Sequence, residues 1–137
     1  MGMSAFELDP RLAADTVFIA DWQLSRVLLM NDSRYPWMIL IPRRPGAVEV
    51  FDLAATDRAT LIEEIALACD RLKTWASADK INVGALGNIV RQLHVHVVAR
   101  RAGDPGGTGP VWGHGAAIPY KEQELRRIIS DLRSALV

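Results

Sequence analysis

A single cysteine, Cys69, is all the thiol this 137-residue sequence carries, so no disulfide can form within the chain and a reducing compartment suits it. Charge of either sign is not in surplus. Lys plus Arg and Asp plus Glu each number 16, giving a formal net charge of zero. A polyanion such as nucleic acid is thereby disfavoured as principal partner, because such binding draws on a basic field. No apolar run approaches the length that crosses a bilayer, and no signal peptide is evident. The opening Met1-Gly2-Met3-Ser4-Ala5-Phe6 lacks the Ser or Thr that myristoylation needs. These absences lead to the expectation of a soluble, cytoplasmic protein with neither a membrane nor a nucleic-acid partner. Internal repeats are missing, and so are a P-loop, a Gly-x-Gly-x-x-Gly turn and a clustered Asp/Glu metal signature.

What is present is an ordinary globular composition, 50% hydrophobic and 23% charged, on a chain long enough for one real core. We therefore read residues 1–137 as one domain. Thr16 to Trp22 and Gln23 to Met30 are rich in Val, Ile and Leu and read as β. The turn cluster Asn31-Asp32-Ser33-Arg34 then leads back into a strand over Trp37 to Ile41, making a hairpin. Thr56-Asp57 can cap a helix to about Trp75, whose apolar stripe is Leu61, Ile65, Ala68, Leu72 and Trp75, with Ile62 and Cys69 alongside. Cys69 on that stripe reads as an inert packing residue. Ile81 to Ala85 and Leu93 to Arg100 are further strands, joined by the turn at Leu86-Gly87-Asn88. Arg101 to Gly115 is a Gly/Pro-rich loop, and Leu125, Ile128, Ile129, Leu132 and Leu136 mark a C-terminal amphipathic helix over about 119–136. Strands, a helix, strands again and a final helix fit an antiparallel α+β layer.

The chemistry concentrates in Gln92-Leu93-His94-Val95-His96-Val97-Val98-Ala99-Arg100. Side chains on a strand alternate between faces, so Gln92, His94, His96 and Val98 share one face and Leu93, Val95, Val97 and Ala99 the other. The second face reads as core. The first sets three hydrogen-bonding side chains in a row, which packing alone does not require. A bare His-x-His pair is compatible with a structural role or with half of a metal site. A closed metal site needs further ligands, and His114 in the Gly-rich loop and Cys69 in the helical pattern do not suggest one. Ligation by distant Asp or Glu stays open.

The flanks add a pattern. Lys80-Ile81-Asn82-Val83-Gly84-Ala85-Leu86-Gly87-Asn88 precedes the pair, and Arg100-Arg101-Ala102-Gly103-Asp104-Pro105 then Pro110-Val111-Trp112 follow it. Upstream stand Val27-Leu28-Leu29-Met30-Asn31-Asp32 and Pro36-Trp37-Met38-Ile39-Leu40-Ile41-Pro42. From about Phe18 to Trp112 the chain resembles the histidine triad (HIT) family of nucleotide hydrolases and transferases. Its signature is His-φ-His-φ-His-φ-φ, with φ apolar. Gln92 to Val98 matches at every position but the first, where Gln stands for His.

The resemblance implies an α+β fold, an antiparallel sheet of about five strands with two main helices, and a homodimer. It also implies attack on the α-phosphate of a nucleotide by the middle histidine, here His94, to give a nucleotidyl-histidine that water hydrolyses. His96 would contact the phosphate oxygens or the leaving group and, if protonated, stabilise developing charge. Gln92 would support the pair through hydrogen bonds without a titratable proton, and activity is expected to survive. Asn31 and Asp32 fall where the ribose hydroxyls are held; Asn82, Gly87 and Asn88 fall near the phosphates. Arg43, Arg44, Arg91, Arg100 and Arg101 could supply a local cationic cluster, and Trp112 or His114 could cover the leaving group. No resident cofactor or metal is implied, and magnesium would enter only on a polyphosphate substrate. The substrate class is a dinucleoside polyphosphate or an adenylate conjugate. A nucleotidyltransferase, a nucleotide-binding or sensing module that has lost its chemistry, and a metal-binding protein are the alternatives.

Overall fold

The computed structural model describes residues 5–136. Residues 1–4, on which most of the myristoylation pattern falls, and residue 137, the last of the expected domain, lie outside the described residues. The strands are β1 (Thr16–Asp21), β2 (Ser25–Met30), β3 (Trp37–Pro42), β4 (Lys80–Gly84) and β5 (Val95–Arg100); the helices are α1 (Pro10–Asp15), α2 (Ala55–Ala76) and α3 (Glu122–Ala135). The strands form one sheet in the order β1-β2-β3-β5-β4, antiparallel throughout. The expected α+β layer of five strands and two main helices is what the chain adopts.

Both central strands are buried along their whole length. On one face Met38, Leu40, Val97 and Ala99 pack against Ala68, Leu72 and Ala76 of α2 and Ile128 and Leu132 of α3. Each fully buried aliphatic side chain there contributes roughly 1.5–3 kcal/mol. On the other face Trp37, Ile39, Ile41 and Val98 form a second cluster, closed by Leu12 of α1 and by Val111 and Trp112 of the Gly/Pro-rich loop. The face bearing the histidines is thus a core in its own right.

Several boundaries differ from the sequence expectation. The strand read from Leu93 begins at Val95. The ladder to β3 ends at the Leu40–Val95 pair, because the chain after Pro42 turns away and the Leu93 amide donates to the Ala47 carbonyl instead, 3.0 Å away. Thr56-Asp57 is not the cap of α2: the helix starts at Ala55 after Ala54, which makes no side-chain cap. Asp57 sits in the first turn, where a carboxylate suits the helix dipole, and it binds Arg44. The short α1 was not anticipated. It is started by Asp9, whose carboxylate accepts from the Arg11 amide, with Pro10 as its first residue.

Helix α2 also buries a carboxyl group. Glu64, 8% exposed, accepts from the amides of Leu24 and Ser25 at 3.0 Å each, tying the helix to the β1–β2 turn. Ile62, read as flanking the stripe, is 59% exposed, whereas Ile65, Cys69 and Trp75 are partly buried against the core. Burial pushes the Cys69 thiol above its ordinary pKa, which suits an unreactive packing role. Among the described residues no helix is long and apolar enough to cross a membrane.

Glu64→Ala would strip two buried amides of their acceptor. A loss of about 2–3 kcal/mol of stability is expected in urea denaturation, with the unfolding slope unchanged.

Candidate active site

Strand β5 places His94 immediately before its first residue and His96 at its second. Both residues are 6% exposed, and their rings meet edge to face with centroids 4.9 Å apart. The neighbours of each ring settle where its proton resides. Nδ1 of His94 lies 2.6 Å from the Gln92 carbonyl oxygen. A carbonyl only accepts, so Nδ1 carries a hydrogen, and whenever the ring is neutral Nε2 presents a lone pair. His96 is the reverse. Its Nδ1 lies 3.0 Å from Nε1 of Trp37, an indole nitrogen that only donates. Nδ1 of His96 must therefore accept, and the hydrogen sits on Nε2. One lone pair and one N–H are paired side by side.

His96 is not the charged group that its motif position allowed for. Burial, and then the neighbouring His94, push its pKa down to about 4, so it is neutral near pH 7. It can donate a neutral N–H, not a full positive charge.

The two rings open on a cavity of about 710 Å³ that also carries Asn31, Asp32, Gly87 and Asn88 on its walls. Gly87 takes φ 69°, a conformation that suits glycine, as it brings the β4–β5 connection over the cavity. Asp32 is almost completely buried. Burial works against its charge, but the Arg34 guanidinium at 2.8 Å and the amides of Arg34 and Ile118 outweigh that and hold the carboxyl below its usual range. Asn31 accepts from the Tyr120 amide through its side-chain oxygen. Arg34 itself lines the cavity, and so do Leu12 and Asp15 of α1, none of which sequence reasoning singled out. The Asp-Ser-Arg spacing in the hairpin turn was the available signal for Arg34.

Three expected site residues lie elsewhere. The Asn82 side-chain oxygen accepts from Arg100 at 3.0 Å, outside the cavity. His114 is exposed and contributes its carbonyl to Arg34, 2.6 Å away. Gln92 does not extend a side-chain network towards the histidines. Its amide spans to the N-terminal segment, accepting from Asp9 N and donating to Glu7 O at 2.8 Å each, and only its main chain supports His94.

Three of the five arginines of the expected cationic cluster have structural uses. Arg43 donates to the carbonyls of Trp22, Gln23 and Leu24, and Arg44 pairs with Asp57. Arg101 is exposed away from the histidines, and Arg91 lines an adjoining depression with Gln92 and His94. Arg100 is buried and fully occupied. It pairs with Asp104 at 2.8 Å, donates to Asn82 and to the carbonyls of Gly107 and Gly109, and lies over the Tyr35 ring. The guanidinium holds the Asp104 carboxyl down to about 2. That knot anchors the Gly/Pro-rich loop, which returns Trp112 to the site with its ring centroid 5.4 Å from His96. Gly84, paired with His96 across β4–β5, makes room for it: a Cβ there would stand 2.9 Å from Cη2 of Trp112.

Three outcomes follow from this geometry. His96 should titrate near pH 4 by NMR, and Trp37→Phe, which removes the indole donor, should raise that midpoint. Between pH 6.5 and 4 the unfolded ring binds a proton that the folded ring refuses, so this group's share of stability falls as pH falls across that window. Gly84→Ala should displace the Trp112 indole from His96, visible as a shift in tryptophan emission with the fold retained.

Comparison with known proteins agrees with the motif. The HIT domain model matches residues 11–103. A histidine triad protein of Sinorhizobium meliloti is 50% identical with TM-score 0.94, covering 98% of this chain and 99% of its own. One from Bradyrhizobium japonicum is 44% identical with TM-score 0.95, covering 98% and 100%. One from Marinobacter aquaeolei is 40% identical with TM-score 0.95, covering 97% of each chain. No curated protein matches this sequence. With its histidines at the start of β5, its sheet order and these relatives in agreement, the chain belongs to the histidine triad (HIT) family of nucleotide hydrolases and transferases.

Proposed function

We propose that this protein is a nucleotide hydrolase acting at the α-phosphorus of a nucleoside phosphate derivative through a nucleotidyl-His94 intermediate. The observation that carries the proposal is the complementary pair of tautomers: a lone pair on Nε2 of His94 beside an N–H on Nε2 of His96. Nucleophilic attack needs the first and stabilisation of phosphoryl oxygens uses the second.

In the first step the lone pair of His94 Nε2 forms the N–P bond, and the bond from phosphorus to the leaving group breaks with its electron pair. The ring gains positive charge, which the Gln92 carbonyl accommodates by accepting from Nδ1–H. His96 donates its N–H to a phosphoryl oxygen or to the departing atom. In the second step water attacks phosphorus and gives a proton to solvent, the N–P bond breaks with its electron pair returning to Nε2, and a nucleoside monophosphate leaves with His94 neutral again. Asn31, Asp32, Gly87 and Asn88 all line the cavity, which supports assigning Asn88 and the Gly87 turn to the phosphate and Asn31 and Asp32 to the sugar. A second phosphate in place of water would make the same site a nucleotidyltransferase.

Dinucleoside polyphosphates and adenylate conjugates are the substrate class, with no resident cofactor and magnesium only as a companion of polyphosphate. A homodimer in the cytoplasm completes the proposal. The impaired-binding alternative loses ground because Gln92 does not take part in the side-chain contacts of the reacting pair, so its inability to titrate leaves that pair intact.

AMP release from diadenosine tetraphosphate and from adenosine phosphoramidate, measured with EDTA present, tests the reading. The native protein should release AMP, and His94→Ala should lower turnover by about a thousandfold or more while still binding AMP. A folded native protein that binds AMP and releases none would establish the binding module instead.

A further inference from the structure

Residues 6–15 form one wall of the nucleotide cavity. Phe6 and Leu8 pack on the cluster that contains Trp37 and Val98, and Leu12, Ala14 and Asp15 face the cavity itself. Two side chains join this segment to the approach to β5. Arg11 donates to the Ile89 carbonyl at 3.3 Å, from a position at the surface. Gln92 makes two bonds at 2.8 Å, one as acceptor and one as donor, to the main chain of Asp9 and Glu7. A primary amide reads a peptide in this way because it offers both functions in one plane.

The same residue's carbonyl oxygen receives Nδ1–H of His94. Gln92 lies in the irregular connection between β4 and β5, so the sheet ladder does not fix that carbonyl. Its nearest restraints are the Leu93 amide bonded to Ala47 and its own side chain bonded to the N-terminal segment. We propose that Gln92 is a positioning residue: one side chain fixes both the nucleotide-facing wall 6–15 and the carbonyl that sets the proton on the His94 ring. Glutamine at the first motif position then substitutes a tie to the N-terminal segment for a hydrogen-bonded histidine network. The kinetic half of this proposal rests on His94 as the nucleophile; the spectroscopic half does not.

Full-length native protein, Gln92→Ala and Gln92→Glu, each ¹⁵N-labelled, would be compared by the ring-nitrogen shifts of His94, by AMP affinity, and by kcat and KM for adenosine phosphoramidate. Native His94 should show the Nδ1–H tautomer. Gln92→Ala should move the ring towards a mixture of tautomers, lower kcat about tenfold and weaken AMP binding several-fold, the size expected when a group supporting a reactive side chain is removed. Gln92→Glu keeps the length and the acceptor for Asp9 N but, ionised, has no proton for the Glu7 carbonyl. It should fall between the two and approach native, compared at equal pH, as acid protonates it. Native ring shifts and native kcat in a folded variant whose residues 6–15 exchange their amides faster would overturn the proposal and leave Gln92 a mere tether. Should Gln92→Ala fail to fold, Gln92→Glu decides on the same readouts. Absence of AMP release from every form would defeat the hydrolase reading alone, since ring shifts and AMP affinity would still decide the positioning role.

Discussion

Two neighbours, a peptide carbonyl and an indole, decide which nitrogen of each histidine is free, and the site's chemistry depends on that placement. One of them, the Gln92 carbonyl, stands two positions from its ring, and the other, Trp37, is remote in sequence from both histidines. Trp37 comes from β3, which is locked beside β5 by the Trp37–Val98 and Ile39–His96 pairs. The Gln92 carbonyl comes from a connection without regular structure. Burying both faces of β3 and β5 therefore does more than stabilise the sheet. It holds a tryptophan N–H within hydrogen-bond range of His96, two positions from His94.

The low charge of the site follows from the same burial. His96 is neutral, Asp32 is matched by Arg34, and Arg100 is spent on the loop. A nucleotide would meet oriented N–H groups and turns in place of a cluster of lysines or arginines. Such dipoles require no mobile counter-charge and can be held in place before substrate arrives, which is where electrostatic stabilisation is most effective.

Much of the fold was legible because the signals are local. Alternation put His94 and His96 on one side of a strand, and the three-and-four spacing of Leu61, Ala68 and Leu72 found the inner face of α2. What the sequence could not display were partners distant along the chain. Glu64 falls between Leu61 and Ala68 on the inner face of α2, and only the distant β1–β2 turn, which presents two amides to it, explains a carboxyl there. Arg43, Arg44 and Arg100 read as part of a phosphate cluster until carbonyls and carboxylates of neighbouring segments occupy them. Helix α1 spans six residues, too few for periodicity, so Asp9-Pro10 was its sole local mark. Gln92 was placed correctly in the motif, but its side chain pairs with main chain more than eighty positions away, and nothing nearby announces that.

The Arg100 knot has an evolutionary consequence. Its partners fall into two kinds: the side chains of Asn82 and Asp104, and the bare carbonyls of Gly107 and Gly109. Carbonyls are offered by every residue, so position 109 can drift in composition while the loop's path is preserved, whereas at Gly106 a Cβ would stand 2.6 Å from Nη2 of Arg100. The side-chain members cannot drift singly. A related chain that replaces the arginine should have changed positions 82 and 104 in step, and its tryptophan should then reach the histidines by a different route.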